Sequence, residues 1–74
     1  MRDKIKNVMA LVFEMELNQI PNSASTSTIV VWDSLNHMNL IVALEEEFNI
    51  LFNDEEIVEI ISLQAIEKTL LSKM

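Results

Sequence analysis

The sequence predicts an all-α domain: four helices, a long loop between the first and second, and a short third helix. Three observations carry that reading. Glycine is absent and proline occurs once, at Pro21, so tight left-handed turns and hairpins lack their usual residues. Half of the 74 residues are apolar, mostly aliphatic. Those apolar residues recur at helical spacing along three separate stretches. A chain of this length makes a single domain, residues 1–74, with a thin core burying roughly 60% of the unfolded surface.

The first helix is expected from about Asp3 to Leu17. Ile5, Val8, Met9, Val12 and Met15 fall on one face and read as core, and Asp3 suits the positive end of the helix dipole. Asn18 to Trp32 reads as a long connection, marked by Pro21 and the run from Asn22 to Thr28. Ile29, Val30 and Val31 have strand character but nothing to pair with, so they are expected to lie as loop over the core. A loop this long in a small domain calls for a reason.

The second helix starts at Asp33 or Ser34, either a suitable N-cap, and runs to about Phe48. It carries two apolar stripes: Leu40, Ile41, Leu44 and Phe48, and also Leu35, Met38 and Val42. One stripe serves a core; the second is covered by the loop or offered to a partner. A short helix is expected near Asp54 to Glu59, with Asn53 and Glu56 spaced as a capping box. Ser62 caps a last helix through about Ser72, with Leu63, Ile66 and Leu70 inward.

Charge narrows the function. The net charge is −7, and from Asn7 to Glu67 there are eleven acids and no Lys or Arg. Such a surface disfavours nucleic acid and anionic lipid and favours basic patches on proteins. It also predicts self-repulsion that salt relieves. No apolar run reaches membrane-span length, and the N-terminus does not read as a signal peptide, so a cytoplasmic location is expected. Without cysteine and with one histidine, a zinc site is disfavoured; the acids read as a solvated face and no metal site is assigned. No nucleophile–base–oxyanion set is discernible, so the chain does not read as an enzyme. His37 reads as an exposed polar residue.

The segment Trp32-Asp33-Ser34-Leu35 opens an aliphatic helix ending in Glu45-Glu46-Glu47-Phe48. Asp54-Glu55-Glu56 and Ser62-Leu63-Gln64-Ala65 follow. Asp-Ser-Leu alone is a weak signal, but in this order over nearly the whole chain it resembles the acyl carrier protein family. The resemblance implies a four-helix carrier domain with 4'-phosphopantetheine attached to Ser34. It implies that Asp33 and Leu35 flank the attachment site and that Asp33 contributes to recognition by a phosphopantetheinyl transferase. It also implies docking of loading ligases and downstream synthases or transferases, by basic patches, onto Met38, Val42, Glu45, Glu46, Glu47, Asp54, Glu55 and Glu56.

The thiol of the arm is then the only sulfhydryl, giving acyl groups one place to attach. Asn36 and Asn39 stand where many fatty-acid carriers have acids, and Trp32 where many have glycine. These departures resemble carriers of specialised pathways that present polyketide, aminoacyl or other acyl groups. A monomer is expected. The alternative is an unmodified helical interaction module that keeps the carrier fold, in which Asp33-Ser34 is only a helix cap.

Overall fold

The structure is a computed structural model describing residues 1–74. In chain order it comprises α1 (Arg2–Phe13), a 3-10 turn (Leu17–Gln19), α2 (Ser34–Phe48), α3 (Asp54–Glu59) and α4 (Leu63–Lys73). α1 packs against both α2 and α4. The predicted four helices and long first loop are present, with no sheet; a lone antiparallel bridge joins Ser25 to Ser62.

The core is one cluster of sixteen residues, all hydrophobic. Ile5, Val8 and Met9 supply it from α1, Leu40, Ile41 and Leu44 from α2, and Leu63, Ile66 and Leu70 from α4. Val12, Met15 and Phe48 are partly buried against it. The expected inward faces are therefore the observed ones. α3 buries none of its residues, and Ile57 only leans on the core.

α1 ends earlier than its apolar periodicity predicts. Glu14 takes a left-handed conformation, φ 54°, and its N–H bonds back to the Ala10 carbonyl, as does that of Met15. The end of α2 repeats the device: Asn49 has φ 54°, and the amides of Asn49 and Ile50 both reach the Glu45 carbonyl. Both ends thus take the capping form that glycine usually supplies. Asn adopts it readily, whereas the conformation costs a side chain such as Glu14 about 1–2 kcal/mol. The early reversal lets the chain return and bury Ile20, a tertiary gain that the periodicity of α1 does not encode.

The long loop is ordered by four anchors. Ile20, Ala24, Ile29 and Trp32 are buried in it. Val30 and Val31 are exposed, so of the three residues expected over the core only Ile29 takes that place. The amide of Thr26 donates to the Ile61 carbonyl, and that of Leu63 to the Ala24 carbonyl, pinning the loop to the α3–α4 joint. Between the anchors, Ser25 and Thr28 close a turn: the Ser25 N–H donates to Thr28 Oγ1, which donates to the Ser25 carbonyl.

The local caps match their sequence signatures. Asn53 and Glu56 form a reciprocal capping box, at 2.8 and 2.9 Å. Ser62 Oγ accepts from the Ala65 amide. No helix is long and apolar enough to cross a membrane.

Candidate functional site

The head of α2 is where the loop and the helices converge. Asp33 is the N-cap, its Oδ1 accepting from the Asn36 amide at 2.9 Å, and its carbonyl takes the His37 amide. Of the two residues suited to capping, the aspartate does the work. Ser34 is therefore the first helical residue, exposed, with its hydroxyl not needed for the cap. The amides of Ser34 and Leu35 belong to the helix end that has no acceptor within the helix. Those donors and the helix dipole favour an anion on this turn.

Asn36 fixes the approach to the serine. Its Nδ2 donates to the Val31 carbonyl at 2.8 Å, and Asn39 Nδ2 donates to Asn36 Oδ1 at 3.3 Å. An ionised acid at position 36 has no hydrogen to donate and would lose the bond to Val31.

An open groove of about 480 Å³ runs beside Ser34. The cap Asp33 and, from α2, Ser34 and Met38 border it, with Ile57, Val58 and Ile61 from α3 and the joint beyond. Trp32 and His37 also line it. Trp32 is buried and packs on Phe13 with ring centroids 5.4 Å apart.

Contrary to the sequence expectation, His37 is not a free surface residue. It is half-buried: Trp32 Nε1 donates to its Nδ1 at 3.0 Å, and its Nε2 lies 2.7 Å from the Ile57 carbonyl. An indole N–H can only donate and a carbonyl can only accept. The two partners together therefore assign Nδ1 as the acceptor and Nε2 as the donor. One weak signal for this was present in the sequence. A tryptophan whose N–H needs an acceptor once buried stands five residues before the only histidine, across a helix start.

The outer stripe of α2 is exposed. Leu35 is open to solvent, and Met38 and Val42 are about half so. A second depression, about 610 Å³, lies farther along this helix against Val42, Glu45, Glu46 and Leu51.

The acids divide by what they touch. Glu45 accepts from the Phe52 amide at 3.0 Å, holding the chain that leaves α2. Glu56 closes the α3 capping box and also meets Lys73 at 2.8 Å. The hydrogen bond from Lys73, together with the Asn53 amide, holds its carboxyl below the usual range. Glu47 faces Lys4 at 3.7 Å, both exposed. Glu67 binds Arg2 through two bonds of 2.7 and 3.2 Å, which lower the carboxyl's pKa and raise that of the guanidinium. Three of the five bases at the chain ends, Arg2, Lys4 and Lys73, thus fold back onto acids of the middle stretch. Asp33, Glu46, Asp54 and Glu55 form no salt bridge and are exposed; Asp33 borders the groove and Glu46 the second depression. No group of three or more His, Asp or Glu side chains is placed to hold a metal ion.

No protein-family model matches the chain. Among known proteins it is similar to the acyl carrier protein of Buchnera aphidicola subsp. Schizaphis graminum (strain Sg). The two are 38% identical over 53 residues, covering 72% of this chain and 67% of that protein.

Proposed function

The chain belongs to the acyl carrier protein family, and from that premise we propose that it carries acyl intermediates as thioesters on a 4'-phosphopantetheine arm attached to Ser34. One observation carries the assignment: Asp33 supplies the cap, so the Ser34 hydroxyl stands exposed and unspent at the positive end of α2. The phosphodiester formed there gains from the helix end that favours an anion. The groove beside Ser34 gives the arm an apolar bed in Met38, Val58 and Ile61.

In this reading the protein acts as a carrier and not as an enzyme. A phosphopantetheinyl transferase installs the arm with coenzyme A as donor. A loading ligase and downstream synthases or transferases then dock through basic patches. The docking surface is the exposed stripe of Leu35, Met38 and Val42 with Glu46, Glu47, Asp54 and Glu55 around it. Glu45 and Glu56 contribute charge there while holding internal bonds. Asn36 is tied to the loop instead of presenting an acid, which favours a dedicated carrier of a specialised pathway over a housekeeping fatty-acid carrier. A cytoplasmic monomer fits this role.

The test is an intact mass measured after incubation with coenzyme A and a broad-specificity transferase. One phosphopantetheine should be added to the protein and none to its Ser34→Ala variant. No increment on the native chain would favour an unmodified interaction module that keeps the carrier fold.

A further inference from the structure

The groove beside Ser34 is lined by His37 on the side where α2 faces α3. His37 reaches from α2 across to α3 and meets the Ile57 carbonyl at 2.7 Å, while its other ring nitrogen takes the Trp32 N–H. Ile57 lies in the last turn of α3, where carbonyls lack partners within the helix. The imidazole therefore completes the end of a short helix and the indole of a buried tryptophan at once. Its ring lies within 24° of the indole plane, edge to edge across their hydrogen bond, with centroids 6.3 Å apart. The core residues next along, Leu40 and Ile41 on α2 and Ile60 after α3, are closed to solvent.

We infer that His37 is a specificity-determining residue: it bars the cleft between α2 and α3, so that the cargo stays in the outer groove and is a short or polar acyl group. An alkyl chain pushing inward from Ser34 has to break both bonds of the imidazole. It would leave a buried indole N–H and a helix-end carbonyl without partners, an arrangement that folded proteins avoid. A short acyl or aminoacyl group needs no such opening. It rests against Met38, Val58 and Ile61 with its polar atoms in water. The inference rests on Ser34 as the attachment point and adds the class of cargo.

The chain has no cysteine, so a Ser34→Cys protein carries a single thiol at the attachment point. Alkyl methanethiosulfonates then place chains of chosen length there without any transferase. Failure of the mass experiment above and failure of this inference are thus read separately. The readout is the thermal midpoint for hexyl and dodecyl chains.

With His37 present, the two midpoints should agree. In the Ser34→Cys protein that also carries His37→Ala, the dodecyl chain should raise the midpoint by at least about 4 °C over hexyl, as buried methylenes add stability. Trp32→Phe, which keeps an aromatic ring but loses the N–H, leaves the imidazole held by the Ile57 carbonyl alone and gives a second, smaller opening should His37→Ala not fold. A midpoint that already rises from hexyl to dodecyl with His37 in place would overturn the proposal. So would equal midpoints in both opened variants.

Discussion

Trp32 Nε1 donates to His37 Nδ1 at 3.0 Å, and the same imidazole ties α2 to α3 through the Ile57 carbonyl. This contact joins the end of the long loop, the first turns of α2 and the short third helix. α3 buries none of its own residues; besides its caps and the Lys73–Glu56 pair it is held by Ile57 leaning on the core and by buried Phe52 and Ile60 at its two ends.

Removing the imidazole should therefore be costly for a half-buried polar residue. His37→Ala leaves the Trp32 N–H without an acceptor, and a buried unpaired donor costs about 1–3 kcal/mol. Denaturant unfolding should show a loss in that range. Trp32 is the only tryptophan, so its native-state fluorescence should change as well. A variant with unchanged stability and emission would show that the contact contributes nothing in solution.

Asp33 and Ser34 should separate cleanly. Asp33→Ala removes the bond to the Asn36 amide and should cost about 1 kcal/mol, the usual value of an N-cap. Ser34→Ala removes no capping bond and should change stability by less than about 0.5 kcal/mol, as surface substitutions do. It should nevertheless abolish the phosphopantetheine mass increment. Equal stability losses for both would mean that the two residues share the cap.

Asn36→Asp should weaken the loop's hold on α2, because a carboxylate cannot donate to the Val31 carbonyl. The lost bond is worth about 1 kcal/mol, offset in part by the favourable placement of an acid in the first turn of α2. Hydrogen exchange near Val31 and Trp32 should rise with it. If exchange there stays as slow as in the parent, the bond does not hold the loop.

Acid should destabilise the fold through two particular carboxyls. Glu56 and Glu67 have folded-state pKa values below the ordinary 4.5, chiefly through hydrogen bonds from Lys73 and Arg2. The folded state therefore binds fewer protons than the unfolded one. Their contribution is complete above the unfolded value and is lost as pH falls through the folded one. These two carboxyls should pull the melting midpoint down below about pH 4.5, against the relief that protonation gives to the repulsion among the other acids. In Glu67→Gln and Glu56→Gln proteins that decline should be shallower, and identical acid profiles in parent and variants would refute the assignment.

Salt acts on two opposed terms. It screens the repulsion among acids that leaves a net charge of −7, and it also screens the pairs of Arg2, Lys4 and Lys73. The Lys4–Glu47 pair is exposed and the other two are only partly buried, so the pairs should contribute little, the repulsion should dominate, and the midpoint should rise with sodium chloride. Arg2→Ala, which removes one compensating pair, should steepen that rise. A midpoint that falls with salt would show that the pairs outweigh the repulsion.

Much of the secondary structure was legible from neighbouring residues. The Asn53–Glu56 box and the Ser62 cap follow from groups three residues apart, and the faces of Ile5 and Met9, or of Leu40 and Leu44, follow from helical spacing. Asp33 and Ser34 were equally good caps as residue types; the choice between them came only with the folded backbone. The left-handed break at Glu14 was hidden for a related reason. Its stabilisation lies in burying Ile20 from a later stretch, and an uninterrupted apolar period argues for continuing the helix. Arg2 meets Glu67 across nearly the full length of the chain, and His37 meets Ile57 twenty residues on. Caps and periodicity depend on bonds within a turn or two, which the order of residues specifies directly. Contacts between distant residues depend on how the helices lie in space once Leu40, Ile60 and their neighbours are buried together.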